Sequence, residues 1–307
     1  MLYIKNLDEA IPVFKALGSE LRIKVIQLLL EKKEMNMNEL ASCLGITNGA
    51  LTSHIKKLEE SGIVAILNEH SGHGNQKVCR VNVDKILVDV ASETNEDSQD
   101  SYSIDIPIGN YSNFSVFPTC GLSTPKRLIG EVDDPRYFAH PSHVDAQILW
   151  FGKGYIEYLI PNMLPPGRKI DQITFAFEIG SEAPGVNSDW PSDITFFLNG
   201  NKLGTWTSPG DFGDIHGMFT PDWWFPNWNQ YGLLKMLVLN RKGTFIDGLK
   251  ISNVSTKQLF LTSQDSLCFR FQVLEPSKNV GGISLFGKNF GNYNQDIKVR
   301  VDYSSIS

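Results

Sequence analysis

No two cysteines of this 307-residue chain lie close together: the four, Cys43, Cys79, Cys120 and Cys268, form no CxxC pair. Widely spaced single thiols argue against a disulfide framework and a thiolate zinc site, and they fit a reducing cytoplasm, the expected location. No apolar run approaches the roughly 20 residues that span a bilayer, so no membrane is expected as a partner. The opening "MLYIKNLDEAIPVFKALG" has no basic end followed by an apolar core and does not read as a secretory signal. Missing too are a GxSxG elbow, an HExxH helix and a phosphate-binding glycine loop. No cofactor, no catalytic residue and no enzyme activity are therefore expected, and no repeat is visible.

What is present divides the chain in two. Of 28 basic and 34 acidic residues, residues 1–92 hold 11 of each, which leaves 17 basic and 23 acidic residues beyond them, a net charge of −6. A polyanion would be repelled, on average, by the second part, and a surface that holds one must gather its cations locally on the first. Residues 8–62 have helical periodicity. "SELRIKVIQLLLEK" opens on Ser19 as N-cap and sets Leu21, Val25, Leu28 and Leu29 at 3–4 spacing. "MNELASCLGI" is a shorter helix ended by Gly45. "TNGALTSHIKKLEESG" starts at Thr47 and stops at Gly62, with Leu51, Ile55 and Leu58 as its buried stripe. Two strand-like runs, "IVAILNEH" and "KVCRVNV", flank the glycine-rich "SGHGNQ" as a hairpin, and "VDKILVDVAS" (83–92) reads as a short helix.

Three helices followed by a hairpin predict a winged helix-turn-helix. A helix that enters the major groove must be slim and polar on its outward face. Thr47, Asn48, Thr52, Ser53 and Lys56 supply that face, with His54 between them as a packing or phosphate-contacting residue. Lys57 and the wing residues Lys77 and Arg80 are candidates for phosphate contact. "FKALGSELRIKVIQLL", "NELASCLGITNGALTSHIKKLEESGIV" and the hairpin that follows resemble the ArsR type of bacterial transcription regulator over residues 8–90. The resemblance implies a homodimer, joined through the helices near 8–17 and 83–92, on a two-fold symmetric (palindromic) double-stranded DNA operator. Many members of that family sense metals through a CxC pair. Here "ELASCL" has Cys43 alone and the last segment has Asp84 and Asp89 without histidine, so no metal is expected and Cys43 is read as a small buried residue.

The polar, acidic "ETNEDSQDS" (93–101) reads as a linker between a DNA-binding and dimerisation domain at 1–92 and a second domain at 102–307. In that second part the helical period disappears. "QILWFGKGYIEYLIP", "KIDQITFAFEIG", "ITFFLNGNKLGTW", "LCFRFQVLE" and "DIKVRVDY" are β-branched or aromatic runs between Gly, Pro, Asn and Asp turns. They predict an all-β sandwich of jelly-roll type, and the chain as a whole a multidomain α+β protein.

"SPGDFGDIHGMFTPDWWFPNWNQYG" (208–232) puts Trp223, Trp224 and Trp228 within six positions, in no helical or strand pattern. Aromatic faces beside carboxylates and amides suit a carbohydrate, whose C–H face stacks on a ring while its hydroxyls meet polar side chains. Asp189, Trp190, Asp193, Trp206, Asp211, Trp223, Trp224, Trp228 and Tyr231 are the candidate ligand residues, for a small-molecule effector read as a sugar or oligosaccharide. Trp150 reads as core, and of the adjacent Trp223 and Trp224 one is expected to be buried. The alternatives are a sandwich used only for oligomerisation or for a protein partner, and a carbohydrate-active enzyme. His140, His143 and Asp145 lie close enough to suggest a metal, but that spacing arises readily by chance on a loop.

Overall fold

The computed structural model describes residues 2–4, 6–71, 74–83, 86–88, 100–259, 261–273 and 275–306. The chain forms two compact units, Met1–Thr94 and Asn95–Ser307. Of the expected linker, 93–99 lie outside the described residues, and 100 and 101 already belong to a strand.

In the first unit, β1 (Leu2–Ile4) leads into α1 (Leu7–Leu17), α2 (Glu20–Lys32), β2 (Glu34–Asn36), α3 (Met37–Leu44), α4 (Asn48–Glu60), β3 (Val64–Ser71), β4 (Gly74–Val81) and β5 (Ile86–Val88). Local sequence sets the helix ends. Asn36 accepts the backbone N–H of Asn38 and Glu39 while Glu39 accepts that of Asn36, a reciprocal cap on α3. Gly45 closes α3 at φ 66°. Thr47 caps α4 through its side chain, whereas Ser19 sits at the N-cap of α2 without a side-chain bond. Val25, Leu29, Leu40, Leu51, Ile55 and Leu58 meet in one core. Strand order β2-β4-β3 makes the wing.

Two expectations fail in this unit. The segment expected as a last helix is, at 86–88, a strand paired in parallel with Leu2–Ile4. A run as short as "ILV" fits either period, and the N-terminal strand supplies the ladder that decides it. Cys43 is exposed: it lies in the last turn of α3, and only Leu40 and Ala41 of that helix are buried.

Among the described residues the second unit is all β apart from two 3-10 turns (Pro135–Ala139 and Pro141–Asp145) and the single helical turn α5 (Thr256–Leu259). Its strands are β6 (Asp100–Ile106), β7 (Asn113–Ser123), β8 (Ile148–Ile160), β9 (Arg168–Gly180), β10 (Ser192–Leu198), β11 (Asn201–Ser208), β12 (Leu233–Asn240), β13 (Gly243–Ile246), β14 (Leu249–Ser252), β15 (Leu267–Val273), β16 (Ile283–Phe286) and β17 (Ile297–Ser305). One layer runs β11-β10-β15-β8-β7 and the other β6-β17-β9-β12-β13-β14. The short β16 pairs with both β8 and β9 and so joins the layers. Phe175 of one layer stacks on Phe269 of the other at 4.0 Å, and Phe177 meets Phe271 edge-on at 4.8 Å. These rings fill the sandwich core. Asn199 and Gly200, both at positive φ, turn β10 into β11, as an Asn-Gly pair in a two-residue hairpin requires.

Candidate functional site

On α4 the buried stripe of Leu51, Ile55 and Leu58 leaves the opposite face free. Thr47, Asn48, Thr52, Ser53, Lys56 and Lys57 are all exposed there. The hydroxyl of Thr52 donates to the carbonyl of Asn48 (2.7 Å) and that of Ser53 to Ala50 (2.9 Å), which leaves each oxygen as an outward acceptor. The Asn48 amide donates to Asn38 on α3 (2.6 Å). Lys56 lies 3.8 Å from Glu60, an exposed pair of little energetic weight, so its ammonium is available to a phosphate.

His54 is half-buried beside Arg22, 3.5 Å from Nδ1 to Nη1. Burial, with the Arg22 and Lys57 charges, lowers its pKa, so it packs as a neutral ring. Arg22, which the sequence reading passed over, is buried and donates to the carbonyls of Ala16 and Lys15 (2.6 Å each). The arginine of "LGSELR" thus ties off the last turn of α1. Lys77 is exposed on the wing. Arg80 departs from expectation: it is buried on β4 between Glu34 and Ala65, where it cannot present a charge to a phosphate.

In the second unit a cavity of about 150 Å³ opens among the ends of β7, β8 and β9 and two loops. Thr119, Asp133, Trp150, Glu182, Asp211 and Trp228 are among its walls. Glu182 is buried, and its carboxylate accepts from Thr119 Oγ1 (3.1 Å), Asn229 Nδ2 (3.2 Å) and Ser284 Oγ (3.0 Å). Asp211, 1% exposed, accepts from the backbone N–H of Ala183 through Oδ2 (3.0 Å), and its Oδ1 is buried with no partner. Burial pushes Asp211 up to about 7. Burial and then the charge of Asp211 raise Glu182 well above the usual carboxylate range. Gly282, at φ 69°, is forced here: a side chain on it would strike the Glu182 Cβ at 2.6 Å and the Phe151 carbonyl at 2.7 Å.

Of the expected ligand residues only Asp211 and Trp228 line this cavity. Trp224, 2% exposed, is core rather than platform: Trp150, Trp223, Trp228 and Phe290 surround it edge-on at 5.0–5.8 Å, and its Nε1 donates to the Asn229 carbonyl (2.9 Å). Trp223 is 38% exposed, with Nε1 bonded to the Pro125 carbonyl (2.7 Å). Trp206 lies under the Lys235 ammonium (4.7 Å), which pairs with Asp247 (2.8 Å), away from the cavity walls. Asp193 pins the chain at Asn279 and accepts from Thr207. Tyr231 stacks on Phe212 and donates to Asp214. Asp189 is exposed, and Trp190 is half-buried with an unpartnered Nε1. His143 bonds the Gly109 carbonyl (2.7 Å) and stacks on Tyr111, while His140 accepts from Ser142.

A family model described as winged helix-turn-helix DNA-binding matches residues 19–65, which run from the N-cap of α2 through α4 into β3. The first unit is a winged helix-turn-helix DNA-binding domain. None of the curated proteins compared with the chain matches it. Among solved structures, HlyU from Vibrio cholerae is similar at 22% identity and TM-score 0.22, over 29% of this chain and 83% of its own. The mosquito-larvicidal Cry4Aa toxin from Bacillus thuringiensis is similar at 8% identity and TM-score 0.29. That likeness covers 78% of this chain, which spans only 29% of the toxin. Both scores are below 0.5, so the assignment of the winged helix-turn-helix rests on the family model and on the geometry of α2 to β4.

Sequence reasoning missed Glu182, Asp133 and Thr119 as cavity residues and placed Trp150 only in the core. One signal was available. "ITFAFEIGSE" sets one glutamate in a largely apolar strand and a second just past its end, and an acid there is costly unless the fold uses it. Glu178, the first of them, is buried and accepts three backbone N–H groups, from Gly232, Asn292 and Tyr293 (2.8–2.9 Å). Burial pushes it up to about 8 against the pull of those donors. It fixes loops, and Glu182 reaches the cavity.

Proposed function

We propose that this protein is a homodimeric transcription regulator of the ArsR type whose β-sandwich binds a small polar effector and adjusts DNA binding in response. The observation that carries the reading is the pairing, in one chain, of a DNA-binding winged helix with a sandwich cavity that keeps two carboxylates out of water. Buried carboxylates are costly and are kept where a ligand or a proton repays them. The sugar read from the sequence is compatible with indole, carboxylate and amide groups at Trp150, Trp228, Glu182 and Asn229. The site is then a partly enclosed pocket for one ring, not an open platform for an oligosaccharide. The homodimer is supported by α1, where Leu7, Ile11 and Phe14 are 43–49% exposed at i, i+4, i+7 spacing, an apolar stripe that a second copy would cover.

Glycoside cleavage has one observation in its favour, two acids with raised pKa at one cavity. Against it, hydrogen-bond donors already occupy both Glu182 oxygens, which leaves neither placed to act as nucleophile or base. The test of the regulator reading is duplex selection from a random pool with the full chain, followed by titration of the selected DNA in the presence of a sugar panel. A two-fold symmetric selected site with a ligand-dependent affinity supports the reading. A selection without sequence preference contradicts it.

A further inference from the structure

We propose that the cavity takes a small ligand carrying a protonated amine, seated against Asp211 and Glu182 with the indoles of Trp150 and Trp228 as walls. The proposal rests on the reading of this cavity as the effector site and names the chemistry of its occupant.

Three carboxylates line the cavity, those of Asp133, Glu182 and Asp211, and no Lys, Arg or His lines it among the described residues. The charged groups that act on Glu182 are Asp211 and Asp133, and both oppose its ionisation. Cys120, also buried close by, has its thiol pushed up to about 12 by burial and by Asp133, Asp134 and Glu182. So carboxyl groups face the site on several sides, and no cationic side chain lines it among the described residues. Neutral donors satisfy Glu182. They do not satisfy Asp211, whose Oδ1 is buried and unpartnered. A buried acceptor with no donor is the group a ligand's N–H would complete.

With no ligand, protons supply the missing positive charge: Asp211 holds one up to about pH 7 and Glu182 to well above the usual carboxylate range. An ammonium can take the place of that proton, forming charge-assisted hydrogen bonds to the carboxylates it ionises. A sugar hydroxyl cannot, because it brings no charge. The walls agree. Trp150 and Trp228 stand edge to face at 5.6 Å, and an indole face attracts a cation more strongly than the other aromatic rings do. Size sets the rest. A cavity of about 150 Å³ has room for a molecule about the size of benzene, so the ligand is a single ring or a short branched amine.

The binding balances as one ammonium in and up to one proton out. Affinity therefore rises with pH as Asp211 loses its proton, provided the amine keeps its own, as an alkylamine does throughout this range.

The experiment is calorimetric titration of the full chain with cyclohexylamine and with cyclohexanol, which differ only in the charged group, and with glucose as a neutral polar control. Each titration is run at about pH 6 and about pH 8, in two buffers of different protonation heat, on wild type, Asp211→Asn and Glu182→Gln, with a thermal melt to show that each variant is folded. The expected result is that cyclohexylamine binds about tenfold or more tightly than cyclohexanol. It also releases protons, weakens toward pH 6, and loses its advantage in whichever variant folds. Equal binding of the amine and the alcohol, tight binding of glucose alone, or no binding of the amine overturns the proposal. Glucose binding that shifts DNA affinity would leave the effector reading standing without the charge assignment. Amine binding without any change in DNA affinity would do the reverse.

Discussion

The winged helix turns its polar side chains outward, and the sandwich takes its most consequential ones inward. On α4, Asn48, Thr52, Lys56 and Lys57 are exposed, while Glu178, Glu182 and Asp211 in the second unit are buried. A duplex brings its own dense charge and needs an open face of donors, acceptors and cations. A small molecule has little surface to offer and is held by enclosure, so its contacts must be paid for by burying polar groups beforehand. On the proposed reading, the two units meet these demands by opposite uses of the same kinds of residue. Tryptophan shows it most directly: the chain's aromatic-rich loop builds a wall, with Trp224 inside the wall and Trp228 on its inner surface.

The largest effect expected from breaking this contrast is at Trp224. Trp224→Ala removes the ring that Trp150, Trp228 and Phe290 pack against, and is expected to destabilise the second unit by about 3–5 kcal/mol in a urea titration. A loss below about 1 kcal/mol would return the loop to the status of an open platform. Next comes pH. The folded pKa of Asp211, about 7, is above its unfolded value, so its contribution to stability is fully present below about pH 4 and is lost as pH rises through about 7. Asp211→Asn should remove that decline, on the order of 4 kcal/mol between those limits, and leave a flatter stability profile in denaturant melts across the range. An unchanged slope would show that Asp211 is ionised throughout.

On the DNA side the effects are smaller and separable. Asn48→Ala or Thr52→Ala should change preference at one base pair by about 1–3 kcal/mol. Replacing Lys56 and Lys57 together by Ala should instead weaken binding on every sequence and reduce the salt slope by about 2. The finest distinction is Arg80→Ala, which should lower the melting temperature of the first unit with no change in salt slope, since Arg80 is buried. A lower slope in that variant would restore it to the DNA surface.

How much of this was legible in the sequence follows from the same contrast. In α4 the 3.6-residue period sorts the residues into a buried stripe and a free face, so Leu51, Ile55 and Leu58 identify Asn48, Thr52 and Lys56 by exclusion. The strands and the Asn199-Gly200 turn were legible for the same local reason. The cavity was not. Thr119, Trp150, Glu182 and the 208–232 loop that carries Asp211 and Trp228 are four separate segments, and only the pairing of β7, β8, β9 and β16 and the packing of that loop against them bring these residues together. Composition pointed to the right loops, but it could not tell Trp224, shielded by its neighbours, from Trp228 four residues later. Arg80 was misplaced because a strand alternates faces, and which face of β4 is outward depends on the side that α2 covers.

The central claim is that occupancy of the sandwich cavity changes the hold of the winged helix on DNA. The most direct test is the Kd of the full chain for its selected duplex, measured without ligand and at saturating cyclohexylamine or glucose, in wild type and in Asp211→Asn. The account predicts a change of about fivefold or more with a probe that fills the cavity, and its disappearance in the variant. A probe that saturates the cavity by calorimetry and leaves the Kd for DNA unchanged would contradict it.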